Sequence, residues 1–271
     1  MILGLLDVRH KLLKLVMLFA MLCATITTAA QTSLNLHTGL GKGLFRDQGV
    51  SPLTYQGVVI QPGLDVNIVR PRWRIYCTTK LTGGIYNREF SQLKKFNYST
   101  YGGSAELFVK GYYSCFKNDR WNLLGGVSLG DYIGCKNTSK FMNANFAVED
   151  FIFVGLQGRA EFILKRWKFY GELGVNPFAY CYAPGFSYID NFTDDIDDKE
   201  CLFNTYEWHS VGFPALSTEI GAWLNLRSGN RIGLAYDWDF LTTRNATVWK
   251  YEEARHALVL QLDFILKAPK Q

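Results

Sequence analysis

The chain has 271 residues, a formal net charge of +5, and 48% hydrophobic against 20% charged residues. That length suits one closed domain, and so mild a charge gives no concentrated basic face for nucleic acid. Beyond residue 30, no segment approaches the roughly twenty apolar residues of a spanning helix, which excludes helical membrane folds.

Met1–Ala30 reads as a secretory signal. Arg9, His10, Lys11 and Lys14 form a basic region, Leu15–Ile26 is an apolar run, and Thr28-Ala29-Ala30 offers small residues for cleavage before Gln31. Cys23 raises lipidation, but Leu22 stands before it where a small residue is wanted. Removing the segment takes away Arg9, Lys11 and Lys14 but also Asp7, so +5 becomes +3. Five cysteines remain: Cys77, Cys115, Cys135, Cys181 and Cys201. An odd number forbids a complete disulfide framework. Cys181 and Cys201 bracket one long connection and form the disulfide candidate. No Cys/His cluster or cofactor motif is present, so neither metal nor cofactor is expected.

Ten segments alternate with the period of two that defines a strand. They are Ser33–Gly41, Gly57–Arg70, Trp73–Tyr86, Thr100–Tyr113, Arg120–Ile133, Phe151–Leu164, Trp167–Tyr180, Ala215–Arg227, Asn230–Thr242 and Ala254–Leu266. In the sixth, Ile152, Val154, Leu156, Gly158, Ala160, Phe162 and Leu164 share one face, while Gln157, Arg159 and Glu161 share the other. These strands exceed the usual five or six residues of soluble proteins. One apolar face and one face bearing charges of both signs is the pattern of a strand between lipid and a polar lumen. The expected lumen residues are Asp65, Lys80, Glu106, Lys110, Arg159, Glu161, Glu172, Glu219, Asp237, Asp239 and Asp263. Tyr76, Phe108, Tyr170 and Trp223 fall on the same phase and narrow it.

Connections alternate in length. Short ones lie at Pro71-Arg72, Ser114–Asp119, Lys165-Arg166 and Ser228-Gly229; long ones at Lys42–Gln56, Asn87–Ser99, Gly134–Asp150, Cys181–Pro214 and Thr243–Glu253. Arg72-Trp73, Arg120-Trp121 and Arg166-Trp167 each open a strand after a short turn. This makes Trp73, Trp121 and Trp167 candidate interface aromatics at headgroup height. Tyr55, Tyr86, Tyr101, Tyr132, Phe151 and Tyr180, at the other strand ends, suggest a second girdle. The sequence therefore predicts an all-β, transmembrane, antiparallel up-and-down barrel over 31–271, with ten strands and a range of eight to twelve. A secreted soluble β-protein with its apolar face inward is the competing fold.

In this rhythm of strands and turns the chain resembles the bacterial outer-membrane β-barrel proteins, and most of all the family known as "outer membrane protein beta-barrel domain". The resemblance covers nearly all of Gln31–Gln271 and rests on pattern rather than motif. It implies residence in the bacterial outer membrane, contact with outer-membrane lipid, and insertion by the barrel-assembly machinery, which reads a final strand ending in an aromatic. Phe264 is in phase, but Ile265–Gln271 depart from the usual terminal Phe.

The expected function is non-enzymatic: a narrow passive channel or structural barrel, or a protein that binds a ligand through the outer loop 181–214. That loop holds the acidic run Asp194–Glu200 beside Phe203, Tyr206, Trp208 and Phe213. The acids lack the ordered spacing of a calcium loop. The alternative is an outer-membrane hydrolase resembling lipid A deacylases or proteases. Its candidate groups are His209-Ser210 in the loop, with Glu207 near, and the inward carboxylates Asp237 and Asp239, which could polarise water; His256, on the lipid-facing phase, reads as an interface residue.

Overall fold

The computed structural model describes residues 31–47, 51–88, 99–138, 146–184, 206–243 and 251–267. The signal segment, the run 194–200 and Cys201 lie outside these. Ten strands form in chain order: β1 Gln31–Asp47, β2 Ser51–Val69, β3 Trp73–Arg88, β4 Ser99–Lys117, β5 Trp121–Thr138, β6 Phe146–Leu164, β7 Trp167–Pro184, β8 Tyr206–Asn225, β9 Arg231–Thr242 and β10 Tyr251–Lys267. Each pairs antiparallel with its sequence neighbours, and β1 pairs with β10, so the sheet closes. Closure leaves no unpaired strand edge.

Alternation decides which face is which. Outside stand Leu40, Val127, Leu156 and Ile220, each 60% or more exposed. Inside, Glu161 and Asp263 are 1% exposed and Gln61 2%. A soluble barrel would show the reverse, and an apolar exterior this extensive marks a surface made for lipid. Trp121 and Trp167 are outward and 45% and 44% exposed, and Trp73 lies on the same phase, all three beside the short turns. The two-residue turn Lys165-Arg166 puts Lys165 in the left-handed region (φ 55°), as Gly229 is in the turn before β9 (φ 88°).

The strands run farther than hydropathy alternation predicts. Much of the expected connection Lys42–Gln56 is paired strand, with Lys42 opposite Val58 and Phe45 opposite Tyr55. Likewise β8 begins at Tyr206 rather than Ala215, which places His209 and Ser210 within a strand instead of a loop. Backbone pairing holds these ends together, and they need no apolar face. Near Pro177 the β7–β8 register shifts. Proline has no N–H to give the ladder, and the resulting bulge reverses the phase. Asn176 faces inward before it, and Ala179 and Cys181 face inward after it.

Candidate functional site: the lumen

Inward aromatics fit the wall because neighbouring strands present glycine. A Cβ on Gly221 would stand 2.8 Å from the Tyr170 ring, one on Gly233 2.7 Å from the Trp223 ring, and one on Gly84 2.9 Å from the Tyr86 ring. The rings thus lie flat over backbone that carries no side chain, and they occupy the bore without forcing the strands apart.

At the end holding the short turns, Glu161 gathers three cations. Its carboxylate lies 2.6 Å from Arg74 Nη1, 2.7 Å from Lys168 Nζ and 3.2 Å from Arg159 Nε, and it accepts from Asn122 Nδ2 at 3.3 Å. Arg159 also reaches Glu172 at 2.6 Å, and Lys110 meets the other oxygen of Glu172 at 2.6 Å. The Arg159 guanidinium sits 4.2 Å from the centre of the Tyr170 ring, whose hydroxyl donates to Glu219. Gln261 Nε2 donates to the same Glu219 oxygen at 2.9 Å. Asp65 accepts from Asn35 at 2.6 Å and lies 3.4 Å from His37 Nε2. Asp263 pairs with Arg231 at the very end of the bore rather than at mid-strand.

Farther along, Lys80 Nζ lies 2.5 Å from Asp239, 3.2 Å from Asp237 and 3.6 Å from Glu106. Arg255 lies 2.6 Å from Glu106, 3.6 Å from Glu253 and 3.7 Å from Asp239. Beyond this layer the bore turns aromatic. Phe151 and Phe153 stack at 5.8 Å, Tyr132 and Tyr251 flank Phe151, and Leu241 and Val211 complete the cluster. Phe45, Tyr55, Val59 and Tyr86 form a second one. Of the expected second girdle, only Tyr101 and Tyr180 face outward, 56% and 43% exposed. Tyr55, Tyr86, Tyr132 and Phe151 are 3% exposed or less and fill the far end of the bore instead.

Among the described residues, two cavities stand out in the lumen. One, of about 130 Å³, lies toward the aromatic clusters, and the other, of about 220 Å³, toward the short turns. Both are lined by Asp65, Thr78, Lys110, Glu172, Glu219 and Gln261, which form a septum between them.

All eleven expected lumen residues therefore face the bore, and ten lie within 4 Å of an oppositely ionisable side chain; Glu219 is held by the neutral Tyr170 and Gln261. The sequence pattern places Lys168 on the polar face with Tyr170 and Glu172, but does not single out Arg74, Lys136, Glu149, Arg231 or Glu253 as lumen residues. Strand phase was the available signal: Arg74 shares parity with Tyr76 and Lys80. Asp237 and Asp239 sit against Lys80 in the middle of the bore and not at an open rim. His256 is outward and exposed beside Tyr236, with Arg255 inward. His209 lies opposite Cys181 and Ser210 opposite Tyr180 in the β7–β8 ladder. The Cys181–Cys201 pairing falls outside the described residues.

Fold and lumen define a class: a closed, ten-stranded, antiparallel up-and-down barrel, apolar outside and charged inside, as outer-membrane barrels are. Several solved structures align with the chain. The outer membrane protease OmpT from Escherichia coli aligns with a TM-score of 0.48 and 10% identity over 88% of this chain and 96% of that one. The translocator domain of the autotransporter NalP from Neisseria meningitidis aligns at 0.42 and 9% over 94% and 95%. Neisserial surface protein A aligns at 0.34 and 8% over 85% and 97%. No family model matches the chain, and no curated protein matches it in sequence.

Proposed function

We propose that the chain is a bacterial outer-membrane barrel of non-enzymatic type whose lumen carries no standing ion current, with the short turns in the periplasm. The observation that carries this reading is the septum. Arg159, the ladder neighbour of Glu172, and Lys110, three strands away on β4, both reach Glu172, and the aromatic clusters narrow the lumen again farther on. Ten strands enclose little more than the eight-stranded case that side chains fill, and rings and ion-paired side chains crowd this interior. A hydrolase would need a general base beside an accessible nucleophile or water. Asp237 and Asp239 are instead tied to Lys80.

Planar-bilayer recording of refolded Gln31–Gln271 tests the reading. The protein should insert, as judged by heat-dependent gel mobility, and remain silent. Exchanging Lys110 and Glu172 together for alanine should introduce discrete steps. Large, steady conductance from the unaltered protein would refute the closed lumen.

A further inference from the structure

We propose that the 130 Å³ cavity is a binding site for a small organic ammonium ion with a compact apolar or aromatic body. This goes beyond the closed-barrel reading, because a lumen can be silent to ions and still hold a ligand. Three observations converge on it.

The first is charge. Four carboxylates, Glu106, Asp237, Asp239 and Glu253, share two cations, Lys80 and Arg255. Lys136, the next cation outward, pairs with Glu149, and Lys110, the next inward, pairs with Glu172. The cavity lining thus carries more carboxylates than Lys and Arg side chains, in a place largely withdrawn from water, where unmatched charge is costly. Across the septum the sign reverses: Arg74, Lys110, Arg159 and Lys168 stand against Glu161 and Glu172. A cation entering the 130 Å³ cavity is attracted there and opposed beyond it. That is an arrangement for retention rather than passage.

The second is a pair of orphan acceptors on the same wall. Gln157 Oε1 and Asn176 Oδ1 have no hydrogen-bond partner, although the two residues are only 6% and 4% exposed, and both line the cavity. Buried amide oxygens are rarely left unsatisfied. Their place is built by small neighbours. Gln157, Gly174, Ser217 and Asp239 occupy one cross-strand row from β6 to β9. A Cβ on Gly174 would stand 2.7 Å from Gln157 Oε1, and one on Gly155 would collide with Asn176 Oδ1. The amides fill the room the glycines leave, and nothing in the wall donates to these two oxygens. An ammonium group carries three donors and no acceptor, which matches a wall of carboxylate and amide oxygens.

The third is the apolar part of the lining, next to these amides along the bore. Phe108 and Phe153 line the cavity with ring centroids 6.1 Å apart, beside Leu241 and Ala215. A bare metal ion has no use for that surface, whereas an apolar body does. The size agrees: an engineered apolar cavity of about 150 Å³ takes a benzene ring.

Benzylamine is the probe, with benzyl alcohol as its uncharged counterpart and potassium and calcium chloride as inorganic cations. Full-length protein matured to Gln31–Gln271 is refolded in detergent with and without each compound, so that access through the folded bore is not required. Thermal unfolding and equilibrium dialysis with radiolabelled benzylamine are then measured. Benzylamine should bind once per chain and raise the unfolding temperature, while benzyl alcohol and the salts do not. Gln157→Leu, which removes an orphan acceptor and no charge, should weaken binding about tenfold, and Ala215→Leu should abolish it by filling the cavity. Asp237→Asn should weaken binding likewise where it folds. Equal binding of the alcohol, full reproduction of the effect by either salt, or unchanged affinity in Gln157→Leu would overturn the proposal. None of these results bears on conductance, so a conducting barrel and an empty cavity are separate failures.

Discussion

Glu161 offers the sharpest test of how the lumen is held together. Its carboxylate is 1% exposed and is the shared anion of Arg74, Arg159 and Lys168, at 2.6, 3.2 and 2.7 Å. Glu161→Gln keeps the shape and removes the charge. Three cations then face one another with Glu172 as the nearest remaining carboxylate, and that group is already bonded to Lys110 and Arg159. Removing one partner of a buried ion pair costs about 3–5 kcal/mol. The adjoining 220 Å³ cavity is lined by Arg74, Arg159 and Lys168 and has room to hydrate the stranded cations, which favours the lower figure. With a urea slope of about 2 kcal/mol per molar, a loss of about 3 kcal/mol lowers the unfolding midpoint by roughly 1.5 M. The assay is urea unfolding of micelle-folded protein, followed by tryptophan emission and heat-dependent gel mobility. Asp119→Asn, at an exposed turn, is the control and should shift the curve by less than about 0.5 kcal/mol. Adding Lys168→Met to Glu161→Gln removes one of the stranded cations and should restore part of the loss. If Glu161→Gln unfolds with the parent, or if Lys168→Met deepens the defect, the three-cation account is wrong.

Three further outcomes follow from the same geometry. Leu156→Arg, at a position 60% exposed on the outer face, should destabilise the lipid-inserted protein by about 2–4 kcal/mol; a soluble barrel would tolerate it, so unchanged urea unfolding in vesicles would count against a lipid-facing exterior. Gly233→Ala would put a methyl 2.7 Å from the Trp223 ring, which is 7% exposed and cannot swing clear. A loss of about 1–3 kcal/mol is expected, with a shift in tryptophan emission, and an unperturbed spectrum would contradict the close approach. Cys115 is exposed beside the turn that precedes β5. In a chain keeping only that cysteine, a membrane-impermeant maleimide added to intact cells should label nothing until the outer membrane is breached. Immediate labelling would reverse the assigned orientation.

The barrel was legible because period-two alternation survives wherever one face meets lipid. It failed where the strands pass beyond that belt. After Leu40, β1 reads Gly41-Lys42-Gly43, with no apolar stripe to mark it, yet its backbone pairs as far as Asp47. The inner charges were legible from parity alone. Their partners were not, because Arg74 meets Glu161 from 87 residues away and Lys80 meets Asp239 from 159. The misplaced girdle is instructive in a different way. Tyr86 shares parity with Lys80 and Thr82, and Gly84 on its own strand and Gly102 across the ladder from it leave space for its ring. Position at a strand end suggested an interface residue, whereas parity together with those inward glycines pointed into the bore.

The same pairings bear on how such a chain reaches a membrane. Its mean hydropathy is −0.03, close to neutral, although its folded exterior is densely apolar. The inward phase of each strand mixes polar, charged and small residues with its rings, so no strand is apolar on both faces and greasy enough to be trapped in the first bilayer it meets. Those charges cannot be satisfied by a hairpin alone. Arg74 on β3 needs Glu161 on β6, Lys80 on β3 needs Asp237 and Asp239 on β9, and Arg255 on β10 needs Glu106 on β4. An open sheet in lipid would leave these groups without partners in a medium that cannot solvate them. The ion pairs across the bore therefore favour the closed cylinder over every partly inserted sheet. Lipid supplies the apolar contacts one strand at a time, and the lumen supplies the cooperativity.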